Sequence, residues 1–210
     1  MISGCGGGSS SKATPTAPAK TAVVAEPTID ATSTAAARRA ASSLEPAMLQ
    51  ASDVPGDLKL QPPQVQLVHP GEIPGLGSTA SGEAKTAASA DGNEFVMVIA
   101  VLPDDGNADA MLQKFTQDTY LRNVTGGAED AQGTPLMLDN APEGAKAFSY
   151  SGTPTTSTGS HHVEGEVVGF VQSGVFVVVN HGRYAASDRT IDVGQIATNI
   201  AKRLASPGLD

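Results

Sequence analysis

Two runs rich in β-branched residues, Val163 to Gln172 and Val175 to Asn180, are separated only by Ser173-Gly174. Parallel strands need a crossover of a dozen or more residues, so a two-residue link ending in glycine predicts a tight antiparallel hairpin. The chain therefore has to contain antiparallel sheet. The aromatic residues place the main core around that hairpin. All five Phe (Phe95, Phe115, Phe148, Phe170, Phe176) and all three Tyr (Tyr120, Tyr150, Tyr184) lie beyond Gly92, and aromatic side chains bury the largest areas.

Other elements follow from hydrophobic period and punctuation. Phe95 to Leu102 is continuously apolar and β-branched, which predicts a strand covered on both faces and ended by Pro103. Asn107 is placed to cap a helix carrying Ala108, Met111, Leu112 and Phe115 on one side, with Gly126-Gly127 stopping it. Leu136 to Leu138 and Ala145 to Tyr150 read as short strands. Gln64 to Val68 reads as an edge strand, because Pro62 and Pro63 before it cannot donate to a ladder. Val193, Ile196, Ala197, Ile200, Ala201 and Leu204 form one helical stripe, with Thr190 or Ser187 available as cap and Pro207-Gly208 beyond its end. This order predicts an α+β fold: an antiparallel β-sheet packed against two main helices, in the manner of an α/β/α sandwich.

The N-terminal part has different chemistry. Residues 6–43 are mostly Gly, Ser, Ala, Thr and Pro, with Val23, Val24 and Ile29 as their large apolar side chains. That is too little burial to offset about 1–2 kcal/mol of backbone entropy per ordered residue. Residues 1–43 are therefore expected to be a disordered tether and residues 44–210 a single domain. Within the domain, Leu44 to Leu49 suits one or two helical turns and Ser52 to Asp57 a turn. Residues 69–92 read as a long flexible loop.

Charge separates the same two parts. Residues 1–43 carry four basic and two acidic side chains, and the rest of the chain nine basic and twenty acidic, within a net charge of −9. No Lys/Arg stripe offers a phosphate backbone its electrostatic footprint, so nucleic acid is not an expected partner. The apolar run Phe95 to Leu102 falls far short of the roughly 20 residues a membrane-spanning helix needs. One cysteine, Cys5, permits neither an internal disulfide nor a cysteine-based metal cluster.

Ile2-Ser3-Gly4-Cys5, followed by Gly6-Gly7-Gly8 and Ser9-Ser10-Ser11, resembles the lipobox of bacterial lipoproteins, in which small residues precede a cysteine that is acylated. The resemblance implies a lipid on Cys5 and a membrane partner through that anchor, at the extracytoplasmic face. Only Met1 to Gly4 precede the cysteine, whereas a secretory signal has a basic segment and 7–15 apolar residues. The reading thus requires such a segment upstream; the alternative is a cytoplasmic protein with a free thiol. Residues 6–43 would then be a leash whose ends lie on the order of 35 Å apart.

Chemistry-bearing patterns are few. On a strand, His162, Glu164 and Glu166 fall at i, i+2 and i+4 on one face, and imidazole with carboxylates is a zinc-type ligand set. A solvated polar strand face is the competing reading. His181 and His69 are expected to be ordinary surface or turn residues. There is no G-x-S-x-G elbow and no phosphate-binding P-loop, and Gly75-Leu76-Gly77 lacks the third glycine of a dinucleotide fingerprint. Neither an enzymatic activity nor a cofactor is expected.

Met48-Leu49-Gln50-Ala51-Ser52-Asp53-Val54-Pro55-Gly56, followed by strand, helix, hairpin and terminal helix, resembles small extracytoplasmic lipoprotein domains, some of them Mog1/PsbP-like α/β/α sandwiches. The resemblance implies a non-catalytic module that binds a partner protein or small ligand. The alternatives are a metal-dependent hydrolase using His162, Glu164 and Glu166, or a structural envelope protein.

Overall fold

The computed structural model describes residues 31–69, 72, 81–90, 94–103, 107–156, 159–184 and 190–206. The chain opens with α1 (Ala31–Ser43), two 3-10 turns (Glu45–Ala47 and Ala51–Asp53), β1 (Lys59–Leu60), β2 (Gln64–Val68), β3 (Ser81–Ala90) and β4 (Glu94–Leu102). It continues through α2 (Ala108–Lys114), α3 (Gln117–Val124), β5 (Gln132–Leu136), β6 (Lys146–Gly152), β7 (Thr155–Thr156) and β8 (Gly159–Ser160). The hairpin β9 (Val163–Gln172) and β10 (Val175–Arg183) then leads to α4 (Val193–Leu204). Eight strands form one sheet in the order β1-β3-β4-β10-β9-β6-β5, with β2 also pairing β3; β7 and β8 form a separate ladder. Every pairing is antiparallel.

The predicted hairpin closes as its spacing required. Val175 pairs with Gln172, and Ser173 and Gly174 adopt φ of 51° and 74°. Two positive φ values make the primed turn whose twist matches the strands it joins, and the second falls on the residue that tolerates it.

Alternation then gives the sheet two unlike faces. On one face Val96, Val98, Ala100, Val177, Val179 and Phe170 meet Ile196, Ala197 and Ile200 of α4, together with Leu44 and Met48 before the first strand. On the other, Val101, Phe176, Val167 and Phe148 meet Met111 of α2, Phe115 just beyond it and Tyr120 of α3. The architecture is thus α+β with helices on both sides of an antiparallel sheet. At about 1.5–3 kcal/mol for each fully buried aliphatic or phenyl side chain, these two clusters dominate the folding free energy.

A polar clasp ties α4 to the turns. Asp53 receives both terminal nitrogens of Arg203, at 2.7 and 3.2 Å, Asn199 Nδ2 at 3.1 Å, and the Gln50 backbone N–H at 2.8 Å. Arg203 also donates to the carbonyls of Ala47 and Met48. Burial alone would raise the Asp53 carboxyl, but these donors and the guanidinium charge outweigh it and hold it below its ordinary value.

Several expectations need correction. Ala31–Ser43 is helix, whereas composition predicted disorder there; the rest of the expected tether, residues 1–30, lies outside the described residues. Six of its thirteen residues are alanine, the best helix former, and Ala37 and Ala41 are buried directly over Gly82. Small-on-small packing lets the backbones approach closely, a source of order that a count of large apolar residues misses.

The predicted loop 69–92 contains the ten-residue strand β3. Its small side chains carry little β-propensity, and its order comes from pairing β4 over nine registered positions and β2 over five. The single helix expected from Asn107 is two helices, because Phe115 and Thr116 take extended conformations between them. The cap of α4 is Asp192, which accepts from the Gln195 N–H at 2.9 Å, not Thr190; Ser187 lies outside the described residues.

Candidate functional site

The expected site residues do not converge. Cys5 lies outside the described residues. Glu164 and Glu166 share a face of β9, as alternation required, but Glu164 accepts from Arg183 Nε at 2.7 Å. His162 precedes the strand, with Nδ1 3.5 Å from Thr153 Oγ1. Among the described residues no three His, Cys, Asp or Glu side chains come together as a metal-binding group. His181, expected at the surface, is buried, and its Nε2 pairs with Glu94 Oε1 at 2.9 Å. Its place in β10 explains the difference: His181 points to the α4 face, opposite Val96 and Glu166 of the flanking strands.

Among the described residues a concavity opens on each face. The first, of about 360 Å³, lies on the α4 face over β5, β6, β9 and β10, and is polar; Thr134, Ser149, Ser151, Glu164, Glu166 and His181 contribute to it. The second, of about 440 Å³, is an apolar groove on the opposite face. Its floor is the outward side of β4 and β10: Phe95, Met97, Ile99 and Val101 from one strand, Phe176, Val178 and Asn180 from the other. Tyr120, Asn123 and Val124 of α3 form one wall, and Glu83 and Glu72 stand on the opposite side.

The sheet register orients this groove. Val101 is opposite Glu83 on β3 and Phe176 on β10, so that acidic end is far from Phe95, which pairs with Ser89 and Gly182. Val101 is six positions from Phe95, which along a strand is about 20 Å. At the Phe95 end the ring lies 6.0 Å from Tyr184, tilted by 39°. In the middle, Asn180 Oδ1 accepts the Tyr150 hydroxyl at 2.8 Å.

Two polar side chains that line the groove are out of water. Glu83 is 5 % exposed and accepts from Gln66 Nε2 at 2.7 Å, from the residue paired with it across β2. Burial pushes its carboxyl above the ordinary value, against the Gln66 bond and the attraction of Lys85, while repulsion from Glu72 adds to the rise. Tyr120 is 7 % exposed, its ring centroid 4.6 Å from that of Phe115. Its hydroxyl is the buried side-chain polar atom left without a hydrogen-bond partner among the described residues. Burial raises its titration as well.

The sequence reading missed this groove. Phe95 to Leu102 was expected to be covered on both faces. Phe95, Met97 and Ile99 are instead only half-buried, whereas Val96, Val98 and Ala100 are sealed. A continuous apolar run carries no period-2 signal that would separate a sealed face from an open one.

No family model matches the chain, and no curated protein matches it. Among solved structures, the extracellular domain of PknH from Mycobacterium tuberculosis aligns with a TM-score of 0.48 at 16 % identity, over 80 % of this chain and 96 % of that one.

Proposed function

We propose that this chain is a non-catalytic binding module, held at the extracytoplasmic face of the cell membrane by lipid on Cys5, and that its domain takes an elongated apolar small molecule in the groove over β4. The observation that carries the ligand reading is the groove itself. A concavity of about 440 Å³ floored by Phe95, Met97, Ile99 and Val178 has the size and the mostly apolar lining of a small-molecule site. Large apolar side chains half-open to water on a central strand are the kind of surface that a ligand covers. The anchor reading rests on the Gly4-Cys5 sequence context. The 25 residues between Cys5 and α1 can span at most about 85 Å.

Saturable binding of an apolar fluorescent probe to the purified protein tests the groove. Ile99→Trp, which fills the floor, is expected to cut probe affinity at least tenfold without lowering Tm by more than a few degrees. Undiminished binding in that variant would remove the reading. For the anchor, mass spectrometry of the N-terminus recovered from native membranes is expected to show acylated Cys5, and Cys5→Ala is expected to release the protein from the membrane fraction.

A further inference from the structure

The polar concavity on the α4 face is laid out by the sheet register. Thr134, Ser149, Glu166 and His181 are opposite one another across β5, β6, β9 and β10, so their side chains stand in one row on that face. Two positions along the strands, Gln132, Ser151, Glu164 and Arg183 form a second row. Both rows line the concavity. On the other side of the first row, the same strands carry Leu136, Ala147, Val168 and Val179, so the face turns from apolar to polar in one step. The α4 helix packs over the apolar part, and Thr190 and Ile191, which lead into it, contribute to the lining. With strands about 4.8 Å apart, the two rows make a floor about 14 Å by 7 Å.

The floor is fixed in place. His181 is 4 % exposed, with Nε2 2.9 Å from Glu94 Oε1, and from the opposite face the Tyr150 hydroxyl reaches its carbonyl at 3.3 Å. Glu164 is held by Arg183 Nε at 2.7 Å. Glu166, opposite His181, has a carboxylate with no hydrogen-bond or ion-pair partner among the described residues. His181 Nδ1 also has no partner there, and it is not sealed as the Tyr120 hydroxyl is, so it opens to the concavity that His181 lines. A carboxylate only accepts; with the Nε2 proton given to Glu94, the neutral ring leaves Nδ1 an acceptor.

We infer that this concavity is a second binding site, independent of the apolar groove, and that it takes a neutral saccharide, with sugar hydroxyls donating to Glu166 and His181 Nδ1. Its volume of about 360 Å³ is in the range of small-molecule sites. Each sugar hydroxyl both donates and accepts, as do the Thr134, Ser149 and Ser151 hydroxyls and the Gln132 amide, so a polyol meets the acceptors at the centre and the mixed groups around them. The Ile191 side chain offers an apolar surface to the C–H face of a sugar ring. An anion would be repelled by the unpaired Glu166 carboxylate. A polyamine would serve the two acceptors but has no acceptor of its own for the hydroxyl and amide donors. Because the side chains around Glu166 are already held, little ordering is required on binding.

Maltose, cellobiose, lactose and sucrose, titrated into the full chain at pH 7 and followed by backbone amide chemical shifts, test the site. At least one is expected to bind saturably with a Kd on the order of 1 mM or below, shifting Gly133, Ser151 and Gly165 and sparing Met97 and Ile99. Glu166→Ala removes the free acceptor and is expected to weaken that sugar at least tenfold. Glu166→Gln keeps an acceptor oxygen without the charge and is expected to stay within about threefold of the parent. Ser151→Ala reads the second row and is expected to weaken binding severalfold, with Tm measured for each variant to show that it is folded. Spermidine, titrated in parallel, separates charge from hydrogen bonding. Spermidine binding more tightly than every sugar and losing its affinity in Glu166→Gln would overturn the saccharide assignment. No saturable shift at Gly165 with any of the four sugars, a shift centred on Met97 and Ile99, or a folded Glu166→Ala protein that binds as well as the parent would overturn it too.

Discussion

Tyr120 and Tyr150 are both buried phenols on the α2/α3 face of the sheet, and removing the same oxygen atom from each is expected to move stability in opposite directions. The Tyr120 hydroxyl is buried without a partner, and an unmet buried polar group costs about 1–3 kcal/mol. Tyr120→Phe deletes that oxygen and leaves the ring against Phe115, 4.6 Å away between centroids. The ligand-free protein should therefore gain about 1–3 kcal/mol. At about 2–4 °C per kcal/mol for a domain of this size, that is a rise in Tm on the order of 5 °C. The Tyr150 hydroxyl, by contrast, donates to Asn180 Oδ1 at 2.8 Å, so Tyr150→Phe strands a buried amide oxygen and should cost about 1–3 kcal/mol. Urea unfolding read by circular dichroism measures both, with an unchanged m-value as the check that the unfolded state is the same. A Tyr120→Phe protein that is no more stable than the parent would show that the hydroxyl finds a partner in solution, and the reasoning would fail.

Other perturbations read other parts of the fold. Asp53→Ala leaves the partly buried Arg203 guanidinium without its carboxylate and is expected to cost about 3 kcal/mol by denaturant titration, the low end for a broken buried pair because Arg203 is 22 % exposed. The Asp53 carboxyl is held below its ordinary value, so its contribution is complete above about pH 4 and is lost as the pH falls through the lower folded value; the midpoint gap between the parent and Asp53→Ala should narrow only in strong acid. Glu83 has the reverse sign: burial raises its carboxyl, so its ionisation opposes folding. Glu83→Gln should raise Tm at pH 7 and show no advantage below about pH 4, the ordinary range of a glutamate, as calorimetry across that interval would show. Gly82→Ala places a methyl against the Ala37 carbonyl and 2.8 Å from Ala41 Cβ, which should displace α1, cost about 1–3 kcal/mol and raise amide exchange over residues 35–43.

What was legible in the sequence was carried by local chemistry. Ser173-Gly174 set the hairpin because its turn type needs positive φ at both positions, and the 3.6-residue stripe of α4 could only be helix. What was not legible depended on partners distant in sequence. Neither Ser81–Ala90 nor Ala31–Ser43 contains enough large apolar residues to announce itself, yet each is ordered by the other's small side chains, with Ala37 and Ala41 over Gly82. The groove was hidden for a related reason. Tyr120 and Glu83 are 37 positions apart in sequence, and only the fold brings them to line one groove from opposite sides. His181 was misplaced because a histidine near the end of a strand looks solvent-facing until Glu94 appears beside it.

The open groove follows from helix length more than from any special residue. On the α4 side, a twelve-residue helix, α1 and the 3-10 turns seal Val96, Val98 and Ala100 completely. On the other side, α2 and α3 are seven and eight residues long, about 10–12 Å each, because the extended residues Phe115 and Thr116 break what would be one longer helix. Among the described residues α2 lies over β9 and β10, and α3 over β5 and β6. Adjacent strands are about 4.8 Å apart, so two short helices cannot also reach across β4 and β3. Phe95, Met97 and Ile99 are therefore left as a floor beside α3, and the buried acid of β3 becomes its far wall. A change that fused the helices, such as Thr116→Ala, should extend helical structure through 115–116 and shift the α3 wall. If probe affinity in that variant stayed within twofold while circular dichroism reported the added helix, the break would be incidental to binding.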